Sequence, residues 1–163
     1  MNILRKVKKF AKKEYKKNDK SHQWSHVRNV MKQALKISKG LKGVDSKLLK
    51  LAIIFHDIDY NSEDNFERNY KCHVDNSVKI AERFLEKENY PKEKIQLVKQ
   101  VMLDHSTPHR KKLGESKILE GKILYDADKS IFIKTKETYE KYYPLLYLGN
   151  TKSLVRKFCF SSI

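Results

Sequence analysis

Apolar residues recur at helical spacing along most of the chain, and polar breaks divide it into short amphipathic segments. The first stripe is Leu4, Val7, Phe10, Ala11 and Tyr15, set in a basic stretch from Arg5 to Lys20. It predicts a helix with its apolar side on the body and its lysines in water. Asn18-Asp19-Lys20-Ser21 breaks that pattern. Ser25 suits the cap of a second helix that buries Val27, Val30, Met31, Ala34, Leu35 and Leu41, with Gly40 and Gly43 bracketing its end. Asp45 or Val44 opens a third helix, Leu48 to Phe55, apolar on nearly every side and therefore expected at the centre.

Residues 58 to 71 lose periodicity and predict a polar loop or lid. A fourth helix carries Val74, Val78, Ala81, Phe84 and Leu85 and ends at Asn89-Tyr90-Pro91. Pro91 suits the first turn of a fifth, with Ile95, Val98, Val101 and Met102 inside. Ser106 to Ser116 reads as a second polar loop. Ile118 to Ile133 is an apolar segment around Asp126-Ala127-Asp128. Lys134 to Phe160 predicts one or two helices interrupted at Pro144 and Gly149.

Composition narrows the fold. With only 5 Gly and 3 Pro in 163 residues, a multi-stranded sandwich or barrel is disfavoured, and the expected class is all-α in one domain spanning 1–163. No apolar run approaches the ~20 residues of a membrane span, and Met1 to Lys6 lacks the apolar stretch of a signal peptide. The expected location is therefore cytoplasmic, with no membrane partner. Cys72 and Cys159 have no CxxC spacing and read as ordinary thiols. The net charge of +16 favours anionic partners. It admits nucleic acid, although no zinc-finger spacing, RNP-type signature or GxxG loop accompanies it.

The histidines carry the candidate chemistry. His56 continues the stripe of Leu49, Ala52 and Ile53, and His105 continues that of Val98, Val101 and Met102. His26 precedes Val30 and Ala34 on its helix face, and His73 stands one residue before Val74 at a helix start. One such histidine is ordinarily a satisfied core residue. Four on four predicted helices each need a partner, and a shared metal satisfies all of them. Asp57 and Asp128 lie in apolar surroundings, where a carboxylate needs a cation. Imidazole with carboxylate suits Mn, Fe, Co, Ni or Zn. His22 stands four residues before His26 but lacks its apolar context, and reads as a surface or supporting residue.

In this order the residues resemble the HD-domain superfamily of metal-dependent phosphohydrolases. The matching segments are His26 in HQWSHVRNV, His56-Asp57 in LAIIFHDID and Asp128 in LYDADKS, within residues 21–133. His73 in HVDNSVKIAERFL and His105 in VMLDHS are similar to the subset with six ligands and two metals. The resemblance implies a helical bundle with a metal centre in its core. It implies that His26, His56, Asp57 and Asp128 hold one metal, and that Asp57 bridges to a second held by His73 and His105. Asp126, two residues before Asp128, competes for the last position. Lys129-Ser130 departs from the Arg-Leu that relatives often carry there.

The implied chemistry is hydrolysis of a phosphate ester, most plausibly on a nucleotide. A bound metal lowers the pKa of its water to around 7, giving a hydroxide that attacks phosphorus in line. Asp57 is central to that chemistry, Lys129 is the first candidate for a phosphate contact, and Asp59 is a candidate general acid or a cap of the lid. Arg28 and the His109-Arg110-Lys111-Lys112 run are weaker phosphate candidates, and Trp24 and Tyr60 could stack on a base. The six-ligand set also resembles that of diiron oxygenases in the superfamily. A non-catalytic nucleotide or nucleic-acid binder with a structural metal is a further alternative.

Overall fold

The computed structural model describes residues 2–60, 66–149, 151–152 and 155, and the side chains of 66–71 and 113 lie outside that description. The described residues form eight α-helices and three single 3-10 turns, with no strand among them. The all-α expectation holds.

α1 (Ile3–Glu14) begins where the Asn2 side chain accepts from the Leu4 amide. Val7, Ala11 and Tyr15 are fully buried, while Lys8, Lys9, Lys12 and Lys13 are exposed, as the stripe predicts. α2 (Trp24–Ser38) buries His26, Val27, Val30, Ala34 and Ile37. Two details differ from expectation. Ser25 lies inside α2 rather than at its cap, which is Gln23 with no side-chain bond. Leu35 is 48% exposed, because its neighbour Ala34 already occupies the inward direction and adjacent helical residues diverge by about 100°.

α3 (Ser46–Phe55) is capped by Asp45, whose carboxylate accepts from the Lys47 and Leu48 amides. Every residue from Leu51 to Phe55 is buried. α4 spans Phe66–Lys87 and ends at Asn89, whose φ of 52 turns the chain. The polar stretch expected as a loop therefore contributes residues 66–71 to a helix, and the rest of it, 61–65, lies outside the described residues. Glu67, Arg68 and Lys71 are good helix formers, and propensity prevails where apolar periodicity is weak. α5 (Lys92–Asp104) follows Pro91, which stands one position before the helix. α6 (Thr107–Leu113) corrects the second predicted loop: Pro108 sits in its first turn and Gly114, φ 86, ends it. α7 is Leu119–Ser130 and α8 is Lys136–Tyr142, followed by a 3-10 turn containing Pro144.

α5 packs on α3, α4 and α7, while α2 lies along α7 and α1 backs α3. One continuous core joins α1 to α5 and α7, and Ile133, Leu146 and Val155 form a smaller cluster of their own. This arrangement brings the inner faces of α2, α4 and α7 to the C-terminal ends of α3 and α5. Gly121 of α7 packs tightly against the end of α5 and the segment before α7: an added Cβ would stand 2.4 Å from Ser116 Oγ and 2.5 Å from an Asp104 carboxylate oxygen. Gly121→Ala is expected to destabilise the protein by about 1–3 kcal/mol through overpacking. Urea denaturation checks this, and an unchanged midpoint would contradict it.

Candidate metal centre

His56 and His105 are placed by the same device. Each is the residue that ends its helix, α3 or α5, where the last carbonyls lack helical partners. His56 Nδ1 donates to the Ile53 carbonyl at 2.8 Å, and His105 Nδ1 donates to the Met102 carbonyl. A carbonyl only accepts, so Nδ1 carries the proton in both rings and each Nε2 offers a lone pair. The C-terminal ends of both helices also bring partial negative charge to this point, which favours a cation. His26 enters from the first turn of α2, Asp128 from the end of α7, and His73 from α4. His73 lies two turns inside its helix rather than at its start.

Asp57 stands between two sets of imidazoles. Its Oδ2 lies 3.2 Å from His56 Nε2 and 3.5 Å from His26 Nε2. Its Oδ1 lies 3.3 Å from His105 Nε2 and 3.5 Å from His73 Nε2. Asp128 Oδ1 is 3.2 Å from His26 Nε2, and the His26 and His56 Nε2 atoms are 3.1 Å apart. Two donor groups result, His26–His56–Asp57–Asp128 and Asp57–His73–His105, and Asp57 belongs to both. All six residues are buried.

The donor set fits a divalent metal on two counts. Bonds of about 2.1 Å place neighbouring ligand atoms roughly 3–3.5 Å apart, the spacing seen here. Asp57 Oδ1 and Asp128 Oδ1 are buried yet accept no hydrogen bond, although imidazole nitrogens stand close to both. Buried carboxylate oxygens in that condition are costly unless a cation satisfies them.

The electrostatics show how the side chains behave without metal. Burial pushes the His56 pKa down to about 4, so it is neutral near pH 7. Burial also opposes charge on His26, but the close carboxylates of Asp128 and Asp57 outweigh it and raise its pKa to about 10. Burial works against the ionised form of Asp57, yet its histidine partners hold its pKa well below the usual carboxylate range. Asp128 is likewise depressed, through Lys129 and His26 acting against burial. Lys129 Nζ lies 2.7 Å from Asp128 Oδ2, leaving Oδ1 to face the imidazoles. The Asp128 charge overcomes burial and raises the Lys129 pKa.

The remaining sequence candidates fall elsewhere. Asp126 turns away and accepts the Tyr147 and Leu148 amides at 2.8 and 2.9 Å, so Asp128 is the carboxylate at the donor set. Asp59 is exposed and belongs to neither donor group, while its amide donates to Ser77 Oγ. His22 bonds Asp19 at 3.0 Å and stacks on Tyr60, ring centroids 3.6 Å apart. Tyr60 in turn meets the His73 ring edge-on. Trp24 packs edge-on against Tyr15 with Lys12 over its face, and Arg28 is exposed. His109 bridges Ser106 and Asp75. Arg110 pairs with Glu115 and lies over the Tyr125 and Tyr147 rings. Asp104, next to His105 in the chain, bonds Ser116 and Gln100.

Two supporting residues escaped the sequence reading. The Tyr15 hydroxyl accepts the Asp57 amide at 3.3 Å, and burial raises its pKa further, so it remains a neutral phenol. Asn18 Nδ2 donates to the Asp57 carbonyl at 2.7 Å and to the His22 carbonyl at 3.0 Å. The one available signal was a lone Asn in the polar break after a helix. Asn18→Ala leaves these carbonyls unpaired and is expected to lower stability by about 1–3 kcal/mol, measurable by thermal melting. A shift below the detection limit would contradict that role.

Fold and site thus define a class: an all-α bundle whose buried core joins two imidazole–carboxylate groups through one aspartate. The HD domain family matches residues 24–131, and the chain belongs to it. A predicted HD superfamily hydrolase from an uncultured Thermotogales bacterium has a similar fold, with a TM-score of 0.69 and 21% identity over 98% of this chain and 87% of that one. The Lin1889 protein from Listeria innocua is also similar, with a TM-score of 0.61 and 19% identity over 96% of this chain and 89% of that one. A comparison with curated proteins finds no match. Among the described residues, no helix is long and apolar enough to cross a membrane.

Proposed function

We propose that the chain is a metal-dependent phosphohydrolase that cleaves a phosphate ester, with nucleotides as the substrate class. The observation that carries this reading is Asp57, whose two carboxylate oxygens face two different sets of imidazoles. His26, His56, Asp57 and Asp128 hold one divalent cation, and Asp57, His73 and His105 hold a second. A cation there supplies Lewis acidity toward a phosphoryl oxygen and an activated water.

The chain's own residues do the rest. The Ile53 and Met102 carbonyls hold the His56 and His105 rings with Nε2 inward. Lys129 occupies one oxygen of Asp128, so that carboxylate presents the other to the site; Lys129 acts here as a positioning cation. Tyr15 and Asn18 grip the Asp57 backbone on both sides. Asp59, exposed two residues past Asp57, remains the proposed donor of a proton to the leaving oxygen. The oxygenase reading would use the same six donors. Hydrolysis is favoured over it by a lysine-lined cleft that opens at His26 and suits an anion.

The test is release of phosphate from mononucleotides and polyphosphates, and ring opening of cyclic nucleotides to mononucleotides, by protein of measured metal content. Turnover that rises with added Mn, Co, Ni, Fe or Zn and stops on chelation is expected. Turnover that needs dioxygen and iron, with no ester cleaved, would select the oxygenase instead.

A further inference from the structure

Beside His26 a cleft of about 920 Å³ opens between α2 and residues 130–134. One wall is the face of α2 that carries Ser25, Asn29, Lys32 and Lys36. The other carries Phe132 and Lys134. No Asp or Glu lines the cleft among the described residues, although the chain has 20 of them. Lys32, Lys36 and Lys134 are exposed and pair with no carboxylate among the described residues. Phe132 is 40% exposed, and its ring centroid is 6.1 Å from that of His26. A partly exposed aromatic ring therefore stands next to the donor set.

The spacing selects among phosphate-bearing ligands. Lys32 and Lys36 follow His26 by about 9 and 15 Å of helix rise, at roughly 1.5 Å per residue. The phosphates of a nucleoside triphosphate crowd within a few ångströms of one another and would leave Lys36 unused. A nucleic-acid strand carries one phosphate per nucleotide, at intervals that walk along such a wall. Cations tracking a backbone beside an aromatic stacking platform are the physical signature of single-strand binding. The net charge of +16 adds long-range attraction for such a polymer.

We propose that this cleft binds single-stranded nucleic acid, with one phosphate at the donor groups, a base on Phe132, and neighbouring phosphates on Lys32, Lys36 and Lys134. The proposal rests on the phosphohydrolase reading only for the phosphate at the donor groups. Lysines address phosphates and an aromatic ring stacks on any base, so binding is tolerant of sequence and steeply salt-dependent.

The experiment is fluorescence anisotropy of the full-length protein with fluorescein-labelled five-nucleotide strands, thymidylate and uridylate, carrying phosphorothioate linkages that resist cleavage. Competition by unlabelled nucleoside triphosphate is measured in parallel. The expected result is strand binding that outcompetes the triphosphate. Each of Lys32→Ala, Lys36→Ala and Lys134→Ala should reduce the salt slope by about 0.7. Phe132→Ala should weaken binding about tenfold. These side chains are exposed, and melting curves on each variant check that it folds. Tighter binding of the triphosphate, or strand affinity unchanged in the triple lysine variant, would overturn the proposal. Metal content and ester hydrolysis on the same preparations separate the two claims. Hydrolysis without strand binding removes this inference alone, whereas strand binding without cleavage of any ester supports the cleft and removes the phosphohydrolase reading.

Discussion

Asp57→Ala is expected to abolish metal retention at both donor groups and to lower ester hydrolysis by at least about a thousandfold. No other residue stands in both groups, so no other single substitution should empty both. Asp128→Ala and His105→Ala provide the contrast, since each removes a donor from one group only. Metal stoichiometry and kcat/KM measured on the three variants check the ranking. Asp57→Asn sharpens the test because it keeps the shape and the backbone contacts to Tyr15 and Asn18 while removing the charge. If Asp57→Asn retained full metal content and turnover, the bridging role would be lost.

Metal binding should expel a proton, and the direction follows from His26. In the metal-free protein its pKa of about 10 makes it cationic at neutral pH, paired with Asp128 and Asp57. A ligating imidazole must be neutral, so that proton leaves when a metal enters. His56 is already neutral, and both carboxylates are already ionised. Calorimetry near pH 7.5 in buffers of different ionisation enthalpy should therefore show about one proton released per chain from the His26 group. Apparent affinity should rise about tenfold per pH unit up to about 10 and then level. The same shift sets a stability trend for the metal-free chain. The folded pKa lies above the ordinary 6.5, so His26 contributes stability that is full below 6.5 and lost as pH rises through about 10. The metal-free protein should lose melting temperature across that window, and the loaded protein should not. Affinity independent of pH would contradict this account.

How much of this was legible in the sequence depended on periodicity. Wherever a histidine continued an apolar stripe, as His56 and His105 do, its inward direction followed from helix geometry alone. The resemblance supplied what spacing could not, namely that donors as distant as His26 and Asp128 belong together. Residues 66–71 and 107–113, expected within polar loops, are helical instead, because no apolar stripe marks them; only Pro108 in the first turn of α6 and Gly114 at its end signal that helix. The grip of Asn18 on Asp57 was invisible for a different reason: it joins residues 39 positions apart through a backbone carbonyl, which no side-chain pattern encodes. Spacing alone did not separate Asp126 from Asp128, since residues two apart on a helix point in nearly opposite directions and only the helix phase decides which of them faces the donor set.

The central claim is that the two donor groups grip divalent cations. The most direct measurement is diffraction from crystals of the metal-loaded protein, recorded at the absorption edge of the metal that elemental analysis finds. The account predicts anomalous density between His26, His56, Asp57 and Asp128, and a second peak among Asp57, His73 and His105. Crystals of active protein with no anomalous peak within bonding distance of Asp57 would contradict it.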